Sequence, residues 1–247
     1  MALLGLPFHR VGADEIHAFI DQIIFWDEKA VLLNLNIHGV YLALKNKWYY
    51  EMIRNAQLVF CDGDGVRWGL KILGSLPPPK VTMARWLWQL SELCEKKQYS
   101  LYLLGGRPGV PEEAARRFKN RYPGIRIVGR HNNEFCKEGK ENDEIVSEIN
   151  RLKPDILIVA FGQPLQEKWV LENSHRLDVH IFTTAGAAFE YVAGRIVETP
   201  DWMIRWQMEW LFRFSQEPRR LWKRYLIEIP YFFACVFYEK WKRMMKG

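Results

Sequence analysis

The chain has 247 residues, 49% of them hydrophobic, and 35 Lys/Arg against 29 Asp/Glu give a net charge of +6. That length buries a full core, and that composition excludes a disordered, collagen-like or disulfide-stapled chain. Cys61, Cys94, Cys136 and Cys235 form no C-x-x-C pair and the six histidines are scattered, so reduced thiols and no metal site are expected.

Residues 1–7 are apolar but lack the basic start and cleavage site of a secretory leader, and no later apolar run approaches the ~20 residues of a membrane span. Residues 13–26 place Ile16, Phe19, Ile20, Ile23 and Ile24 on one face, which predicts a helix with Asp14 and Glu15 at its positive end. Residues 31–36, V-L-L-N-L-N, predict a buried strand whose Asn34 and Asn36 share a face. These amides either satisfy backbone at a strand end or meet a polar ligand. A helix over 37–47 follows, then a short turn before 49–55. Leu58 to Cys61 predicts a strand, and Asp62-Gly63-Asp64-Gly65 turns it into a helix over 66–73. Open α/β folds bind ligands in such turns at the carboxyl ends of strands. A carboxylate there takes a proton or holds a sugar hydroxyl; the plain alternative is a helix cap beside glycines that relieve strain.

Three prolines, 77–79, make 74–82 an extended loop that delivers Lys80 and Thr82. A helix over 83–97 should turn Trp86 and Leu90 inward. The strand 100–104 runs into Gly105-Gly106-Arg107-Pro108-Gly109 and a helix over 110–122, a phosphate-cradle pattern beside the cation Arg107. The strand 125–129 leads into a polar loop, 131–135, that holds Asn132 and Glu134, and a helix follows over 142–152. The continuous apolar strand 155–161 turns through Gln163 and Gln166 into a helix, and a last strand, 179–183, ends at Thr184. Repeated strand–turn–helix units predict an α/β fold: a parallel, doubly wound sheet with helices on both faces. Its carboxyl rim gathers Asn34, Asn36, Asp62, Asp64, Gly105, Gly106, Glu134, Gln163 and Gln166, which points to one ligand site.

Residues 195–247 hold 11 Lys/Arg, 6 Asp/Glu and 13 of the 35 aromatic residues. Trp202, Trp206 and Trp210 at i, i+4, i+8 predict one helical stripe, and Pro218 suits a helix first turn. Arg220, Lys223 and Arg224 are expected on one face. Such a tail meets an anionic surface, and an interfacial helix accounts for its aromatic and basic excess together; the plain alternative is a final helix pair packed on the core with a solvated basic side. A single-strand nucleic-acid module would also use such a tail, but no nucleic-acid motif accompanies it. A nicotinamide oxidoreductase would need G-x-G-x-x-G after a strand, which the chain lacks.

The motifs N-L-N (34–36), C-D-G-D-G-V (61–66), P-K-V-T (79–82), L-L-G-G-R-P-G (103–109), F-G-Q-P-L-Q-E-K-W (161–169), G-A-A-F-E-Y-V-A-G (186–194) and E-W-L-F-R-F-S-Q-E-P-R-R-L-W-K-R-Y-L (209–226) occur in order. Over residues 33–226 the chain resembles the WecG/TagA/CpsF family of bacterial glycosyltransferases. The resemblance implies a Rossmann-like catalytic domain, 1–194, and a helical appendage, 195–247, for membrane and acceptor. It implies an inverting enzyme, without metal or other cofactor, at the inner face of the cell membrane. The hexose, most often N-acetylmannosamine, would pass from a UDP-sugar to a polyprenyl-diphosphate-linked sugar for teichoic acid or surface polysaccharide. Nucleic acid is not expected as a partner, and self-association is left open. The family's base falls on Asp62, its threonine position on Asn34 and its active-site glutamine on Gln166. The residues expected at the diphosphate are Lys80, Arg213, Arg220 and Arg224. Asn36, Asp64, Gly105, Gly106, Arg107, Glu134 and Gln163 are expected at the donor. Asn34 in place of threonine, and a second carboxylate at Asp64, open the donor to UDP-glucose or a UDP-hexuronic acid.

Overall fold

Apolar runs that alternate between two hydrophobic surfaces must be covered on both sides, and this requirement shapes the sheet. The computed structural model describes residues 1–206 and 208–245, with Arg220 described by its backbone alone. Strands β1 (Ala2–Leu3) and β2 (Leu6–Pro7) form a small antiparallel hairpin. Strands β3 (Ala30–Leu35), β4 (Leu58–Cys61), β5 (Ser100–Gly105), β6 (Arg126–His131), β7 (Ile156–Ala160) and β8 (Ile181–Thr184) form one parallel sheet in the order β4-β3-β8-β7-β5-β6. Leu58, Phe60, Leu101, Leu103, Ile156 and Ile158 join one core with helices Ala13–Phe25, Met83–Lys97 and Val110–Arg121. Their strand neighbours Val59, Cys61, Tyr102, Leu104, Leu157 and Val159 join a second core with helices Lys47–Asn55, Asp64–Ile72, Lys140–Leu152 and Leu165–Asn173. Trp86 and Leu90 point inward as expected. All four cysteines are free thiols.

Several boundaries move. The expected helix 37–47 stops at Lys45, and a second helix, Lys47–Asn55, follows after Asn46. His131, expected in a loop, pairs with Leu104 at the end of β6. The helix after β4 starts at Asp64, because Gly63 at φ +125° makes the turn that L-residues resist.

The tail departs most. Trp202, Trp206 and Trp210 do not form one stripe, because helix Asp201–Arg205 ends at Trp206 and Trp210 lies in the separate helix Glu209–Gln216. The Met208 amide bonds back to the Met203 carbonyl (2.8 Å), which closes the first helix and redirects the chain. Helix Pro218–Lys223 then runs into a π-helical turn, Arg224–Glu228, before the final helix Ile229–Met244. Lys223 is exposed whereas Arg224 lines a cavity, so these two do not share a face. The Arg220 side chain lies outside the described residues.

Phe232 and Val236 of the final helix are fully buried in the second core, and Phe232 packs so closely on Gly69 that an added Cβ would lie 2.7 Å from its ring. Among the described residues no helix is long and apolar enough to cross a membrane.

Gly105 ends β5 at φ +124°, where an added Cβ would lie 2.5 Å from the Ala160 carbonyl oxygen. Gly105→Ala should therefore destabilise the fold by about 2–3 kcal/mol, read from denaturant unfolding. A variant as stable as wild type would show that β5 and β7 can separate there at little cost.

Candidate active site

Asp62 is the first residue beyond β4, and its amide still donates to the Leu35 carbonyl (3.0 Å), so the sheet fixes its backbone. Asn34 of β3 donates from Nδ2 to Asp62 Oδ2 (3.1 Å), and Thr184 of β8 donates from Oγ1 to Asn34 Oδ1 (3.2 Å). An amide has one donor end and one acceptor end, so the Thr184 hydroxyl decides that the donor end faces Asp62. Three adjacent strands each supply one member of this row.

Burial raises the Asp62 carboxyl above its ordinary range and Glu209 adds to the rise, while Arg213, the Asn34 hydrogen bond and Lys80 oppose it. A carboxylate poised in this way is a stronger base than a solvated one. Burial also pushes the neighbouring Cys61 thiol up to about 12, which keeps it protonated and inert.

Gln166 is buried and its amide is committed. Its Oε1 accepts from the amides of Gly162 (3.2 Å) and Gly186 (2.9 Å), and its Nε2 donates to Glu167 Oε1 (2.7 Å). It ties the turn after β7 to the turn after β8 and so shapes the cavity floor. Asn36 caps helix Ile37–Lys45 by accepting from the Gly39 amide (3.1 Å), and Gln163 donates to the Tyr49 hydroxyl (3.1 Å). Asn34, Asn36, Asp62, Gln163 and Gln166 all line one cavity of about 220 Å³, together with Tyr191 and residues 185–188.

A second cavity, of about 540 Å³, is mostly apolar and opens between the helix after β4 and the tail, with Ile37, Trp68, Trp210, Phe214, Leu226 and Phe233 on its walls. Asn36, His38, Asp62, Arg213, Arg224 and Tyr225 line both, so Asp62 and two arginines stand at the seam.

Asp64 lines only the second cavity of the two, and both of its oxygens are engaged, by Arg67 (3.1 Å) and Lys80 (2.8 Å). Lys80 also pairs with Glu209 (3.2 Å), and Glu209 with Arg213 (2.5 Å). Burial lowers the Lys80 ammonium, but Asp64 and Glu209 more than offset it and hold it above its usual range. Arg213 lies 5.4 Å from the Tyr191 ring centre, and its Nε is buried without a hydrogen-bond partner among the described residues.

Gly105, Gly106, Arg107 and Glu134 stand on the same rim at the ends of β5 and β6 but line neither cavity. The Gly106 amide is taken by the Ala160 carbonyl (2.9 Å), Arg107 pairs with Glu190 (2.9 Å), and Glu134 is exposed. The residues that sequence reasoning missed are His38, Glu167, Tyr191, Glu209 and Tyr225. Glu167 and Glu209 lie inside the quoted motifs beside residues that were singled out; His38 follows Asn36 by two and carried only its place near the rim. Among the described residues no cluster of three or more His, Cys, Asp or Glu is placed to hold a metal ion.

Glu167 is buried under the cavity floor, and burial pushes its carboxyl from 4.5 up to about 7, against the hydrogen bond that Gln166 donates. A raised folded-state value means that the native chain binds the proton more tightly than the unfolded one, so stability falls as pH rises through that window. Glu167→Gln should therefore lose less melting temperature than wild type between about pH 5 and pH 8. Equal losses would show that Glu167 ionises at an ordinary carboxylate pH.

The model of the glycosyl transferase WecG/TagA/CpsF family matches residues 1–246. N-acetylglucosaminyldiphosphoundecaprenol N-acetyl-beta-D-mannosaminyltransferase from Bacillus subtilis (strain 168) is 26% identical over 229 residues, covering 90% of this chain and 86% of its own. The enzymes of the same name from Bacillus spizizenii (88% and 81% covered) and Staphylococcus aureus strain MW2 (87% and 82%) are each 25% identical over 218 residues. The match runs through every strand end that builds the site, and the chain belongs to the WecG/TagA/CpsF family of glycosyltransferases.

Proposed function

We propose that this enzyme transfers a hexose, with inversion and without a metal ion, from a UDP-sugar to a sugar carried on a polyprenyl diphosphate, in bacterial teichoic acid or surface-polysaccharide synthesis. The relatives' names supply the acceptor class and N-acetylmannosamine as the first donor sugar to try. The observation that carries the reading is the seam. Asp62 lies where a polar cavity of sugar size meets an apolar groove, and Arg213 and Arg224 lie beside it.

In this reading the acceptor hydroxyl loses its proton to Asp62 as its oxygen bonds to the anomeric carbon. The bond from that carbon to the UDP oxygen breaks on the opposite face, so configuration inverts and UDP leaves with the bonding electron pair. Asn34 holds the Asp62 carboxylate in line throughout. Arg213 and Arg224 offer charge-assisted hydrogen bonds to the acceptor diphosphate, and the apolar groove takes the first isoprene units. Lys80 acts through Asp64 and Glu209, keeping the Arg213 helix against the Asp62 turn. Because Asp64 is neutralised by Arg67 and Lys80, the case for UDP-glucose or a UDP-hexuronic acid as donor rests on Asn34 alone.

The tail would bring this groove to the lipid. Trp202, Trp206, Trp222, Phe237, Tyr238 and Trp241 are exposed among basic residues, and such rings settle at a headgroup boundary.

UDP release should be measured with EDTA present, across a panel of UDP-sugars, with and without a short-chain prenyl-diphosphate sugar. Acceptor-dependent release is expected with one donor; release that needs no acceptor, or none with any donor, would defeat the reading. Asp62→Asn should lower kcat/KM by roughly 10²-fold or more with an unchanged melting temperature. The acid limb of the wild-type rate profile should lie above the ordinary carboxylate range, and Arg213→Gln should move it higher still, since Arg213 favours the Asp62 anion.

For the membrane, Trp206, Trp222 and Trp241 changed together to Ser should reduce flotation with anionic vesicles while the fold persists. Undiminished flotation would place membrane contact elsewhere. Deleting the whole tail is the poorer test, because it removes the buried Phe232 and Val236.

A further inference from the structure

Resting on that reading, we propose that His38, held by Glu228, is a diphosphate-binding residue of this site, its ring Nε2–H donating to the same phosphate group that Arg224 meets.

His38 lies in the first turn of helix Ile37–Lys45, two residues beyond Asn36, and its side chain lines both cavities at the seam. Its Nδ1 lies 2.7 Å from Glu228 Oε2, and the Glu228 carboxylate is only 12% exposed. A carboxylate accepts and does not donate when ionised, so the proton of this pair sits on Nδ1 and the second ring nitrogen faces away from Glu228. Among the described residues that nitrogen has no hydrogen-bond partner, and it is not one of the buried polar atoms left without one. It is therefore not buried, on a side chain that lines both cavities. With a proton on each ring nitrogen, the side chain donates to Glu228 through Nδ1 and can donate to an anion through Nε2.

The π-helical turn carries two parts of this arrangement. Arg224 opens the turn and Glu228 closes it, with the Ile229 amide reaching back to the Arg224 carbonyl. One five-residue element therefore carries both an arginine of the seam and the carboxylate that orients the histidine across from it. Four residues apart, the two lie close together on one side of the chain. The ligand chemistry that answers an arginine and an imidazole N–H lining the same seam, between a polar cavity and an apolar groove, is a diphosphate ester. It comes from either a prenyl diphosphate or the nucleotide.

The test is calorimetric titration of the full-length protein with farnesyl diphosphate and, separately, with UDP. Wild type is compared with His38→Gln, His38→Lys, Glu228→Gln and Arg224→Ala, each with its melting temperature. His38→Gln should weaken farnesyl diphosphate roughly tenfold, the size of one charge-assisted hydrogen bond, and His38→Lys should recover most of it. Glu228→Gln should weaken it less than His38→Gln does. Loss confined to UDP would support the same assignment with the nucleotide as the source of the phosphate. Wild-type affinity for both probes in His38→Gln, with Arg224→Ala weakened, would overturn the role of His38 and leave the transferase reading intact. Equal losses in His38→Gln and His38→Lys with lowered melting temperatures would make the pair a structural clasp and overturn it as well. Wild type that binds neither probe would overturn both this assignment and the reading beneath it.

Discussion

Everything at this site depends on one amide. Asn34 can hold the Asp62 carboxylate only because Thr184 occupies its oxygen, and that alignment needs β4, β3 and β8 side by side in fixed register. Leu35 pairs with Cys61 and Leu32 with Thr183, so a slip of one residue would put a leucine where Asn34 stands. The cost of exposing the core enforces that register. The hydrophobic sheet thus sets the geometry of the cavity floor through strand pairing, and Gln166 extends it by tying the β7 and β8 turns together.

A second layer of order is electrostatic. Arg67, Asp64, Lys80, Glu209 and Arg213 form a chain of ion pairs linking the Asp62 turn, the proline loop and the tail. Buried pairs of this kind add little net stability, since desolvation offsets attraction. Their effect is on placement: the tail is positioned so that Arg213 lowers the Asp62 carboxyl that burial raises. The proline loop, extended because three prolines exclude helix, is the spacer that sets Lys80 between the two carboxylates.

The tail divides its aromatic residues between two surroundings. Phe232 and Val236 close the second core against Gly69, while Trp206 and Trp241 remain in solvent. A segment anchored in this way can meet a lipid surface without leaving the protein, and its inner side completes the apolar groove next to Asp62.

The sequence by itself determined the parallel sheet, because apolar runs followed by glycine or carboxylate turns leave few other ways to bury both faces. It also determined the rim, where Asn34, Asn36, Asp62, Gln163 and Gln166 do meet. Their strand-end positions follow from chain order alone. Tertiary structure decided which part of the rim lines the two cavities. Gly105, Gly106, Arg107 and Glu134 carry the same local pattern, but β5 and β6 lie at the far side of the sheet, and strand order is set by long-range packing that no local motif encodes. It also decided that Asp64 is a paired anion, that Trp202 and Trp210 lie in different helices, and that His38 faces a π turn. Each depends on partners far along the chain: Glu209 for Lys80, and Glu228 for His38. Spacing in sequence carries helix and strand periodicity, whereas such pairings exist only once the core has closed and excluded water around them.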